Sequence, residues 1–138
     1  MQRELKFRAW DILQSRFLYP YPNGFDILGE TTCFDLIGSQ IKEFTPEKTT
    51  LERLNDVEIT QFTGLKDKNG KDIYEGDVLK FKRNSISKRS DIRVVKFNRG
   101  CFLLCRKNNY MTMQMLHSDL MEVIGNIYEN AELAIGLV

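Results

Sequence analysis

Histidine occurs once in these 138 residues, and cysteine and proline occur three times each. A single imidazole leaves few routes to a catalytic triad, and an odd count of thiols is not a disulfide framework; it suits a reducing compartment. Long apolar runs are missing as well. The longest, CFLLC and LAIGLV, fall far short of the ~18–20 residues that cross a bilayer, so no membrane partner is expected. The first residues, MQRELKFRAWD, carry charges directly after Met1 and no apolar core, which is unlike a secretory signal. The sequence is therefore read as a cytoplasmic protein. Neither GxxxxGK[ST] nor GxGxxG occurs, since Gly70-Lys71 runs into Asp72, so no phosphate cradle and no nucleotide cofactor is expected.

Acidic residues are scarce in one place only. Between residues 80 and 107 ten basic side chains stand against Asp91 alone, a net of +9, whereas the rest of the chain has ten basic against eighteen acidic. The overall charge of +1 conceals this asymmetry. Phosphate-bearing partners are the natural match for such a block. Phe81, Phe97, Phe102 and Tyr110 interleave with its charges, and aromatic faces stack on single-stranded bases. The candidate nucleic-acid-binding residues are Lys80, Lys82, Arg83, Lys88, Arg89, Arg93, Lys96 and Arg99. A solvated cationic barrel face, or a patch meeting the acidic lobe of another subunit, explains the same charges at least as well. On either reading Phe81 and Phe97 alternate with lysines as core positions do.

Hydrophobic alternation indicates mostly strands. ELKFRAW and RFLYPYP pair as a hairpin across DILQS, with Pro20 and Pro22 ending the pairing. FDIL and CFDLIG read as short strands, and DVEITQF as another. TPEKTTLERLND is the one helix expected, near residues 46–54, with Thr45 as N-cap and Pro46 in the first turn, although Thr49 and Thr50 weaken it. From residue 77 onward DVLKFKR, DIRVVKFN, CFLLCRK, YMTMQML and MEVIGNIYEN follow one another at the spacing of a small barrel. HSDL before the last of them suggests one 3-10 turn. The fold class expected is mainly β. A hairpin-containing lobe with the short helix occupies residues 1–62, an SH3-like β-barrel residues 63–130, and a tail residues 131–138.

Three cysteines and a histidine invite a zinc site. Cys101 and Cys105 lie on one apparent strand, where four residues at ~3.3 Å each separate them by ~13 Å, too far for one metal or a disulfide. They read instead as buried apolar residues on one strand face. His117, Ser118 and Asp119 are adjacent, whereas triads are assembled from separated segments; turn capping by Ser118 and Asp119 is expected. The carboxylates Asp67, Asp72, Glu75 and Asp77 suggest a calcium loop, but with Gly70 sixth the first position is Leu65 and the twelfth Gly76. Asp72, Glu75 and Asp77 form a distant third reading, a metal-dependent hydrolase. Asn69-Gly70 signals a type I′ hairpin turn with an exposed tip, and YEGD a second turn in which Gly76 takes the awkward backbone.

KFRAWD, QFTGLKDKNGKDIYEGDVL and EVIGNIYEN together resemble the YopX family of phage and prophage proteins. These blocks lie at the start, centre and end of the chain. The resemblance implies a small, mostly β, oligomeric protein and brings no activity, cofactor or catalytic residue. Hence the expected protein is a non-enzymatic phage accessory factor in the bacterial host, with no metal, cofactor or small-molecule substrate. Its expected role is that of a homo-oligomeric interaction module, or else a nucleic-acid-binding one.

Overall fold

The computed structural model describes residues 4–20, 33–37, 40–45, 48–54, 57–114 and 116–137. The chain is mainly β and divides into two units, Lys6–Gln61 and Phe62–Val138 with Met1–Leu5.

In the first unit β1 (Phe7–Asp11) and β2 (Arg16–Pro20) form the expected hairpin, with Ala9 opposite Leu18 and Trp10 opposite Phe17. Ala9 and Leu18 are fully buried with Phe7 and Val57 packed on them, and Arg8, Trp10 and Asp11 are buried too, so β1 is covered on both faces. The DILQS turn is tied by Asp11 Oδ1, which accepts the N–H groups of Leu13 and Gln14 at 3.1 Å each. On the other face Arg8 lies 4.3 Å over the Phe17 ring and donates to Thr60 Oγ1.

Next come β3 (Cys33–Ile37), parallel to β2, then β4 (Gln40–Thr45) and β5 (Lys48–Leu54), each antiparallel to its predecessor. FDIL lies outside the described residues. The expected helix near 46–54 is not formed: Lys48–Leu54 is strand, and Thr45 pairs with Lys48 instead of capping a helix. Pro46 lies outside the described residues, and pairing with β4 rewards β-branched Thr49 and Thr50, which a helix would penalise.

The first half of β6 (Val57–Lys66) pairs with β1 in this unit. Its second half pairs, within the C-terminal unit, with β7 (Asp72–Tyr74). There follow β8 (Asp77–Phe81), β9 (Asp91–Asn98), β10 (Cys101–Arg106) and β11 (Asn109–Thr112), an antiparallel meander. The expected 3-10 turn, Ser118–Leu120, then returns the chain to β12 (Met121–Asn126), which pairs with β8. The resulting strand order is β11-β10-β9-β8-β12.

Both faces of this sheet are apolar near its centre. One face holds Ile73, Leu79, Phe81, Val95, Leu104 and Met121 as the main core. On the other, Val78 and Val94 are covered by Ala134 and Leu137. That cover comes from α1 (Ala131–Ala134) and the residues after it, so the expected tail is part of the packing. The one short helix among the described residues therefore lies here, where no helix was expected.

Candidate nucleic-acid interface

Two-residue turns join β9 to β10 and β10 to β11, a longer loop joins β8 to β9, and register shows which basic residues share an end of the meander. Phe81 is opposite Asp91, Cys105 opposite Val94, and Arg106 opposite Asn109. The β8–β9 loop (residues 82–90) and the β10–β11 turn (residues 107–108) therefore lie at one end of the sheet, and the β9–β10 turn (residues 99–100) lies at the other. Lys82, Arg83, Lys88, Arg89, Arg106 and Lys107 gather at the first end, all of them exposed. Lys96 and Arg99 lie toward the opposite end, away from the residues with which they were grouped. Lys80 is exposed on β8, between Ile92 and Glu122 on the neighbouring strands.

Arg93 is a correction. It is only 7% exposed, and its guanidinium donates to Asp91 Oδ2 at 3.0 Å and to Asn109 Oδ1 at 2.8 Å. Arg106 approaches Asp91 Oδ1 at 3.1 Å. Burial raises the pKa of Asp91, but hydrogen bonding and charge from Arg93, with the bond from Arg106, hold it below the ordinary carboxylate value. The lone acid of the basic block thus neutralises a neighbouring pair and leaves the loop cations without it. Asp119 lies in the adjacent 3-10 turn, where Lys82 N–H bonds Leu120 O at 3.1 Å.

Aromatic placement is corrected too. Phe81 is core, but Phe97 is 50% exposed and meets Phe102 edge-on at 5.1 Å, at the end opposite the cationic loop. Phe97 sits where β9 has already run past the main core, so alternation alone does not bury it. Cys105 is buried but Cys101, at the start of β10, is exposed, for the same reason. His117 precedes the 3-10 turn, and that turn has no side-chain cap, so the capping expected of Ser118 and Asp119 is absent.

Two carboxylates of the central block, Asp67 and Asp77, are spent on backbone. Asp67 Oδ1 accepts Asn69 N–H at 2.8 Å and Lys71 N–H at 3.0 Å, while Oδ2 accepts Val123 N–H at 3.0 Å. Burial raises its pKa, yet these three bonds and the nearby Lys71 leave it lowered. Asp77 accepts Tyr74 N–H at 2.9 Å across the YEGD turn, and Asp72 pairs with Lys66.

The hairpin tip at residues 68–70 is exposed, as expected, but its turn type differs. Gly70 has φ +78°, Asn69 is not among the positive-φ residues, and Gly70 N–H bonds Asp67 O at 3.0 Å. This is a type I turn closed by a left-handed glycine; the Asp67 carboxylate, which binds the inward-turned N–H groups, selects it over type I′. True type I′ signatures occur at Arg99-Gly100 (φ +50° and +81°) and Lys107-Asn108 (φ +47° and +62°). Gly76 does take positive φ, +88°, and its carbonyl accepts Ile127 N–H at 2.9 Å.

The EVIGNIYEN block proves equally structural. Asn126 Oδ1 accepts the N–H groups of Tyr128 and Glu129, and a Cβ on Gly125 would lie 2.6 Å from Asn130 Oδ1. Sequence reasoning passed over Asp67, Asn126 and Asn130 as anchors. An Asp three residues before Gly and an Asn four residues before another Asn were the available signals.

A mainly-β protein of two units, with an exposed cationic end on its C-terminal sheet, is the class these features define. The chain belongs to the YopX protein family, whose model matches residues 6–134. Its fold is similar to the crystal structure of protein EF1440 from Enterococcus faecalis, at 28% identity, TM-score 0.56, covering 96% of this chain and 99% of that one. It is similar also to protein yopX from Bacillus subtilis, at 24% identity and TM-score 0.60, covering 93% and 94% of the two chains. No curated protein matches the chain.

Proposed function

We propose that this protein is a non-enzymatic interaction module of phage or prophage origin, acting in the host cytoplasm, whose C-terminal unit binds nucleic acid. That unit is taken as an SH3-like barrel, in keeping with its meander, 3-10 turn and returning strand. The observation that carries the reading is the gathering of Lys82, Arg83, Lys88, Arg89, Arg106 and Lys107 at one end, with Asp91 engaged by Arg93 and Arg106. Phosphate contacts of this kind supply most non-specific affinity. A non-catalytic role is supported by Asp11, Asp67, Asp77 and Asp91, buried or half-buried carboxylates that each bind backbone N–H groups.

Fluorescence anisotropy against labelled nucleic acid over a salt series tests the proposal. Affinity is expected to fall steeply with salt, and the Lys88→Ala/Arg89→Ala variant to flatten the log–log slope by about 2. No retention at ~50 mM salt overturns it.

Self-association is the second reading, supported by the +9 block beside an acidic remainder. It requires a solution mass that is a multiple of 16.1 kDa, measured by light scattering behind a sizing column with and without nucleic acid. A monomer at high protein concentration overturns it.

A further inference from the structure

We propose that Ile86 is an apolar wedge that enters the minor groove of duplex DNA between base steps, with Lys82-Arg83 and Lys88-Arg89 gripping phosphates on either side. This deepens the reading above and rests on it. A single exposed isoleucine is ordinary by itself; its setting here is not. Ile86 is 87% exposed, more than any other large apolar side chain among the described residues. It is also held out by structure. Ser87 N–H bonds both Asn84 O, at 3.3 Å, and Asn84 Oδ1, at 2.7 Å, which places Ser85 and Ile86 at the crest of a turn. Ser87 Oγ donates to Arg89 O at 3.0 Å and secures the following limb.

Sequence on the two sides is nearly symmetric, KRN-S-I-S-KR, so the wedge stands between two exposed dibasic pairs. With Asn84 Oδ1 taken by Ser87 N–H, what Asn84 offers a ligand is its amide N–H2. Minor-groove edges of A·T pairs present acceptors only, adenine N3 and thymine O2, which match that donor and the Ser85 hydroxyl. An anionic membrane would attract the same cations. Inserting Ile86 into it, however, would take the Asn84 amide and the Ser85 hydroxyl out of water with no partners in the acyl region. Duplex DNA supplies those partners and accepts apolar wedges at the cost of unstacking and a bend.

The test uses the full chain and an A·T-rich duplex of about 25 bp with a donor and an acceptor dye at its ends, reporting affinity and bending together. The wild-type protein is expected to bend the duplex, and Ile86→Ser to remove the bend and weaken binding about tenfold. Its salt slope should stay unchanged, since no phosphate contact is lost. The substitution is on an exposed loop, and an unchanged thermal midpoint verifies the fold. If wild type binds the duplex but Ile86→Ser bends and binds it equally, the wedge is overturned and the binding reading stands. If wild type binds phosphatidylserine vesicles and no nucleic acid, both fall.

Discussion

Asp67 and Gly125 show how single residues close this structure. Asp67→Ala would strand the N–H groups of Asn69, Lys71 and Val123, and a loss of about 2 kcal/mol in urea unfolding is expected. Its pH behaviour has a definite sign. The folded pKa of Asp67 lies below the ordinary 3.8, as does that of Asp91, so both groups stabilise the fold above pH 3.8. That stability drains away as pH falls below 3.8 toward the depressed folded values. Acid unfolding of wild type and Asp67→Asn should therefore converge at low pH and differ near neutrality; curves that stay parallel would refute the linkage. Gly125→Ala should cost roughly 1–3 kcal/mol by overlap with Asn130 and Leu133, which stand 2.6 and 2.7 Å from the new methyl. Gly70→Ala meets nothing within 4 Å and should lose only about 1 kcal/mol, from its positive φ.

Elements were legible where the apolar pattern is short-range and pairing is local. The β1–β2 hairpin and the meander from β8 to β11 follow from alternation and turn residues. β5 was misread because Pro46 and the Leu51, Leu54 spacing fit a helix start, and only the neighbouring β4 decides against it. The C-terminal segment was misread as a tail because LAIGLV alone does not reveal that Val78 and Val94 need a cover on that face. Leu137→Ala is expected to cost roughly 2 kcal/mol, by uncovering Val78 and Val94 and by loosening the Leu137 carbonyl bonded to Lys107 N–H. An unchanged denaturation midpoint would show that the segment is dispensable.

At the scale of the whole molecule, the central and last of the blocks that mark the family are joints. The central block reaches the last strand through Asp67 and Val123 and through Lys68 N–H and Met121 O, and Gly76 O holds Ile127. Two of the three blocks recognised by sequence therefore hold residues that assemble the C-terminal unit, while the loop of the candidate interface lies between them. A corollary follows for Lys88→Ala/Arg89→Ala: it should lose nucleic-acid affinity with its denaturation midpoint within about 0.5 kcal/mol of wild type, since surface substitutions seldom cost more. A large stability loss would mean that the loop cations are structural.

The sequence by itself determined the strand-rich class, the hairpin at the start, the glycine turns, the uneven charge and the family. These depend on neighbours a few residues apart or on composition, and short-range sterics and alternation suffice for them. Tertiary structure alone decided that Arg93 is buried against Asp91, that Lys96 and Arg99 part from the loop cations, and that Arg106 and Lys107 join them. Strand register brings residues 16 apart, such as Arg93 and Asn109, within hydrogen-bonding distance, and it carries chain neighbours to opposite ends of a sheet. No local pattern encodes that distance, so the cationic end becomes visible only once the meander is folded.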